Sequence, residues 1–219
     1  KAEQMDRLTE DVGGQNNAQT NNYSTDYFEV IPSNYLDTLL LAEAERMVNL
    51  NVYLENFHSE RSAVEEEYRQ SVLSNPYGLL FNAMDEKSYK IYPYKRPTIG
   101  NISELEESTL SDVVAFHKAF YRPDNATLMV IGDFNPSLLE KEVKKYFEGI
   151  VYPEASIPVI SASEPVRTSD TSVRVFSPSA PLPALGMTWL IPSGEKQDDL
   201  VALQIASALL GEGESSRLH

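Results

Sequence analysis

The chain has 219 residues, room for one large domain or for one domain and part of another. With 42% hydrophobic and 10% aromatic residues it can build a core, which excludes wholesale disorder. A formal charge of -15 argues against nucleic acid and anionic membrane surfaces as partners, and the absence of cysteine excludes disulfides, thiolate metal sites and cysteine nucleophiles.

The chain opens on KAEQMDRLTEDVGG, without methionine or a signal-peptide pattern, and no apolar run approaches a membrane span. The expectation is a mature or truncated piece. Met5, Leu8 and Val12 share one helical face, and Gly13-Gly14 ends that helix. NNAQTNNYSTDYFEVIP predicts two short strands about a polar turn, closed by Pro32. Leu36, Leu40, Ala44 and Met47 stripe a helix from Asn34 to about Asn49. After the break NLNVYLENF, Ser59 reads as the N-cap of a helix from Glu60 to about Ser74, stopped by Asn75-Pro76.

YKIYPYKRPTIG is a loop. Ser108 to Tyr121 predicts a helix with Val113, Phe116 and Phe120 inward, and RPDN a turn. ATLMVIGDF reads as a buried strand, and NPSLLEKEVKKYFEGI as a helix with Leu139, Val143 and Phe147 on one side. The proline-bearing stretch 151-171 is the linker candidate. Two strands, Ser172–Phe176 and Ala184–Ile191, and a helix, Asp198–Leu210, come after it.

The stretch SERSAVEEEYRQ, Ser59 to Gln70, concentrates carboxylates. Glu60 and Glu67 are seven helical steps apart, which returns to within about 20° and puts both on one face; Arg61, Glu65 and Glu66 point elsewhere. Such a helix is either a solvated, charge-laced face or one side of a site. Zinc takes about four ligands, three of them from protein where water must react. No histidine pair stands at helical spacing: His58 reads as a loop residue before the cap, His117 as a partly exposed residue beside a buried Phe116, and His219 as the end of a cut or a tag. By themselves these residues make no metal site.

The order of segments adds to this. Gly-Gly-x-x-Asn-Ala-x-Thr, then Glu-Arg-x-x-Val-x-x-Glu, Pro-x-x-Gly, and Tyr-x-Pro-x-Asn before an apolar run ending Gly-Asp resemble the pitrilysin/insulinase family of zinc metallopeptidases, the inverzincins. The branch is the bacterial one similar to mitochondrial processing peptidase. The resemblance implies an α+β fold with helices packed on one face of a mostly antiparallel sheet. It divides the chain into a truncated first peptidase half-domain (1-150), a linker (151-171) and the start of a second half-domain (172-219).

The resemblance also implies a zinc-dependent metalloendopeptidase acting on extended peptides or unfolded polypeptides. Glu67 matches the third zinc ligand, and Glu60 an acidic position supporting the ligands from behind. Asn17, Ala18, Gln19 and Thr20 match the edge strand that receives substrate by strand addition. The family spacing places the His-x-x-Glu-His motif upstream of Lys1. Zinc is therefore expected in an intact parent, whereas this chain alone is expected to be inactive. A non-catalytic homologue serving as partner subunit and a structural or interaction domain are the alternatives, and a homodimer or a partner subunit is the expected assembly. Composition suits a bacterial protein of the envelope, with periplasm ahead of cytoplasm.

Overall fold

The computed structural model describes residues 4–91, 94–191 and 197–218. The chain begins with helix α1, Gln4–Glu10, whose Thr9 side chain is fully buried. Thr9 Oγ1 donates back to the carbonyls of Met5 and Asp6 and accepts from Asn16 Nδ2 at 2.7 Å, joining α1 to the first strand. Gly13, at φ 79°, reverses the chain in the left-handed region that side chains avoid. Thr9→Val keeps the shape but strands the Asn16 amide. It should cost about 1–2 kcal/mol in urea unfolding.

Strands β1, Gln15–Thr20, and β2, Thr25–Val30, pair antiparallel, with Asn16 opposite Glu29, Ala18 opposite Tyr27 and Thr20 opposite Thr25. Helix α2, Leu36–Val48, buries Leu40 and Ala44. Helix α3, Leu54–Tyr68, buries Phe57 and Tyr68 and runs into one π turn, Arg69–Leu73, that buries Val72. The π turn is closed by Ser74 N–H donating to Arg69 O at 2.8 Å. Helix α4, Gly78–Ser88, then folds back after the Asn75-Pro76 break.

Helices α5, Ile102–Glu107, and α6, Leu110–Phe120, meet at a junction capped by Thr109 and Asp112. Arg61 on α3 donates to the Glu106 and Ser108 carbonyls there, at 3.2 and 3.3 Å. Helix α7, Pro136–Phe147, lies on α2, with Tyr146 Oη donating to Asp37 at 2.8 Å. Helix α8, Gln197–Gly211, is the last. The fold is α+β, with helices around an antiparallel pair of strands.

Several expectations need correction. Helix α3 starts at Leu54, so Ser59 is no cap and His58 lies inside the helix. The cap is formed instead by the Tyr53 amide donating to Asn56 Oδ1 at 2.6 Å. Helices α4 and α5 were not anticipated. Phe116 is 58% exposed rather than buried, and Val113 is also partly open. The runs Ala126–Phe134, Ser172–Phe176 and Ala184–Ile191 form no strands; Met129, Ile131, Phe176 and Leu185 are 79%, 94%, 83% and 84% exposed. A strand needs a neighbour for its backbone groups, and among the described residues these runs have none. His219 lies outside the described residues.

The stretch 162–188 instead runs beside α4. The Glu164 carboxylate accepts from the amides of Lys90 and Ile91 at 2.8 and 3.0 Å, and Ser88 Oγ donates to Thr188 Oγ1 at 2.9 Å. The total surface is 16862 Å², where a compact chain of this mass exposes about 10,000 Å². Uncovered apolar residues in those runs, on α6 and on α8 contribute to the excess.

Candidate functional site

A cleft of about 670 Å³ opens between the hairpin, the C-terminal part of α3, α4 and the loop at 97–99. Glu67 lines it from α3, Ser71 and Val72 from the π turn, Gly78 and Asp85 from α4. Ala18 and Thr20 line it from β1. Thr98 Oγ1 donates to Asn22 Oδ1 at 2.7 Å, which ties the far wall to the tip of the hairpin.

Helix α3 sets where its carboxylates stand. Arg61 and Glu65 turn towards α5 and pair at 3.6 Å, and Glu65 also meets Arg69 at 3.4 Å. Glu67 projects into the cleft and is exposed there. Glu60, two turns earlier, is exposed but does not line the cleft. The cleft wall pushes the Asp85 carboxyl above the ordinary carboxylate range by burial. Sequence reasoning missed Asp85 because α4 itself had not been anticipated.

The register decides which backbone groups of β1 are free. Asn21 N–H donates to Ser24 O at 2.9 Å across the two-residue turn, so that pair is hydrogen-bonded. Pairing alternates along an antiparallel ladder. Asn17 and Gln19 therefore turn their amides and carbonyls to β2, and Asn16, Ala18 and Thr20 turn theirs outward. Asn17 Oδ1 accepts from the outward Ala18 N–H at 2.8 Å. Of the stretch Asn17 to Thr20, Ala18 and Thr20 thus reach both the edge that β1 leaves unpaired with strand among the described residues and the cleft.

Among the described residues no group of three His, Cys, Asp or Glu side chains could hold a metal ion. Glu67 has the donor chemistry of a zinc ligand, an exposed carboxylate on a firm helix, but one carboxylate is not a site. His117 lies elsewhere: its ring stacks on Tyr121 at 4.8 Å, and burial lowers its pKa. No helix of the described residues is long and apolar enough to cross a membrane.

The model of the peptidase M16 inactive domain matches residues 108–219. The zinc protease PqqE of Helicobacter pylori is 33% identical over 220 residues, covering 100% of this chain and 49% of that protein. The probable mitochondrial-processing peptidase subunit beta of Arabidopsis thaliana is 22% identical, covering 94% of this chain and 39% of its own length. The crystal structure of a protease from Helicobacter pylori superimposes with a TM-score of 0.87 at 31% identity, over 100% of this chain and 53% of that one. The chain spans about half the length, or less, of the curated relatives it matches.

Proposed function

Because the chain belongs to the peptidase M16 inactive-domain family, we propose that it is the part of a zinc metalloendopeptidase that presents substrate to the metal: Glu67 gives one ligand and β1 receives the peptide. The observation that carries this reading is the shared cleft, which brings Glu67 together with the outward-facing Ala18 and Thr20. The inactive-domain match begins at residue 108, so both elements lie outside it. In this reading the remaining zinc ligands come from outside the described residues, and bound zinc would supply Lewis acidity for attack of water on a peptide carbonyl. This chain holds an extended peptide by main-chain pairing, which reads backbone shape more than side chains and suits unfolded polypeptide.

The test uses the full-length protein and a fluorescein-labelled β-casein peptide, with binding followed by anisotropy. Ala18→Pro removes one outward donor at an edge, where proline is tolerated, and should weaken binding about tenfold with the melting curve little changed. Gln19→Pro removes a ladder donor and should loosen the hairpin itself. Unchanged binding by Ala18→Pro would sink the edge-strand role.

The alternative reading is a non-catalytic partner subunit, favoured by the inactive-domain match. It predicts peptide binding without chelator-sensitive cleavage by the full-length protein.

A further inference from the structure

We propose that Arg46 is a positioning residue for peptide binding: its guanidinium fastens the β1–β2 hairpin to α2 and so fixes where Ala18 and Thr20 stand in the cleft. This rests on the reading of β1 as the peptide-receiving edge.

Arg46 sits in the last turn of α2 with its side chain 27% exposed. Its Nη2 lies 3.4 Å from Glu29 Oε1 on β2 and also donates to Glu43, one turn back on α2. The guanidinium carbon stands 4.2 Å from the centre of the Tyr27 ring, so the cation is held against both a carboxylate and an aromatic face of β2. Tyr27 and Glu29 alternate on one face of the strand, and they pair with Ala18 and Asn16 on β1. Any displacement at Arg46 therefore passes through the ladder to the cleft-facing residue Ala18. Tyr27 is braced from the other side, its hydroxyl 2.8 Å from that of Tyr121.

The charges do not balance. Two carboxylates face one guanidinium, and Glu43 Oε1 is buried without a hydrogen-bond partner among the described residues. Burial first, and then the Glu43 carboxylate, push Glu29 up to about 7, against the pull of Arg46. Glu29 therefore holds a proton more tightly in the folded protein than in the unfolded chain. It contributes stability that is fully present below the ordinary carboxylate range and is lost as pH rises through about 7, where Glu29 ionises beside Glu43 and the hairpin joint loosens. The other titratable groups at this joint are the Tyr27 and Tyr121 hydroxyls and His117, which stacks on Tyr121. Burial pushes the Tyr27 phenol upward, so it stays neutral across this range.

The test compares wild type, Arg46→Met, Arg46→Lys and Glu29→Gln in the full-length protein. It reads affinity for the fluorescein-labelled β-casein peptide between pH about 6 and about 8, and amide hydrogen exchange of residues 15–30. Arg46→Met should weaken binding about tenfold and speed exchange through the hairpin. Arg46→Lys should recover part of the affinity, since an ammonium still meets a carboxylate but lacks the planar fork. Wild-type affinity should fall as pH rises, and Glu29→Gln, an uncharged isostere that leaves the strand intact, should flatten that fall. Unchanged hairpin exchange in Arg46→Met would overturn the fastening. Faster exchange with unchanged affinity would overturn the positioning role. If Ala18→Pro still weakens binding in that case, the edge-strand reading survives and only Arg46 loses its part; if neither variant changes affinity, the reading itself fails.

Discussion

In the full-length protein, Glu67→Gln should lower zinc affinity by more than about a hundredfold and peptide cleavage with it, since even a partner behind the ligands is worth about 10–100-fold. Glutamine keeps the length of the side chain and its place on α3, but it offers a neutral amide oxygen to a dication that prefers a charged donor. Glu67 is already exposed in the cleft beside β1, so the substitution needs no repacking of the helix. Glu60→Gln should cost about 10–100-fold if it supports the ligands from behind. The structure sets Glu60 outside the cleft lining, two turns from Glu67, so any effect it has on the cleft is indirect. Chelator competition, run beside a cleavage assay, separates the two roles. Wild-type zinc affinity in Glu67→Gln would show that the metal is held without it.

How far the sequence reached depended on whether the signal was local. The stripes on α2 and α7 follow the 3.6-residue period; α2 stands within two residues of its expected ends, and α7 stops three residues early, at Phe147. The hairpin was legible because Asn-Asn-Tyr-Ser is turn chemistry between alternating segments. The start of α3 was not, because Ser59 carries a stronger generic cap signal than Tyr53, while the working cap is the side chain of Asn56 reaching back to the Tyr53 amide. Glycine at the head of α4 hid that helix, and Asp85 with it.

The apolar runs at 126–134, 172–176 and 184–191 show where local pattern stops. Alternation reports that a segment would suit a sheet; it does not supply the neighbouring strand, which is a long-range fact. At the site, the shared face of Glu60 and Glu67 is a matter of helical geometry and needs only their spacing. Which amides of β1 point outward could not be read that way, because that phase depends on the bond between Asn21 and Ser24. One step of the ladder moves the outward-facing amide from Gln19 to Ala18.

Gly78→Ala should destabilise the protein by about 2–3 kcal/mol and weaken peptide binding together, because one methyl group has nowhere to go. A Cβ on Gly78 would lie 2.3 Å from the Val72 carbonyl oxygen and 2.7 Å from that of Ser71. Both are backbone atoms of the π turn, so no side chain can swing aside to admit it. The π turn adds one residue to the last turn of α3 and rotates the residues beyond it by about 100° relative to an uninterrupted helix. Within that turn Ser71 stands on the cleft wall beyond Glu67 and Val72 is buried. Glycine at 78 lets α4 start in contact with this corner, and the cleft floor is the result. To admit alanine, either the π turn tightens to an ordinary helical turn or α4 moves outward, and each change reshapes the cleft wall that α3 and α4 form together. Gly211→Ala is the matched control: nothing lies within 4 Å of its Cβ, it ends α8, and its effect should stay within about 0.5 kcal/mol. Urea midpoints of the two variants, read beside their affinities for the casein peptide, separate a packing defect from a general cost of adding a methyl group. A Gly78→Ala protein as stable as Gly211→Ala would mean that the corner between α3 and α4 yields freely, and that the cleft does not depend on it for its shape.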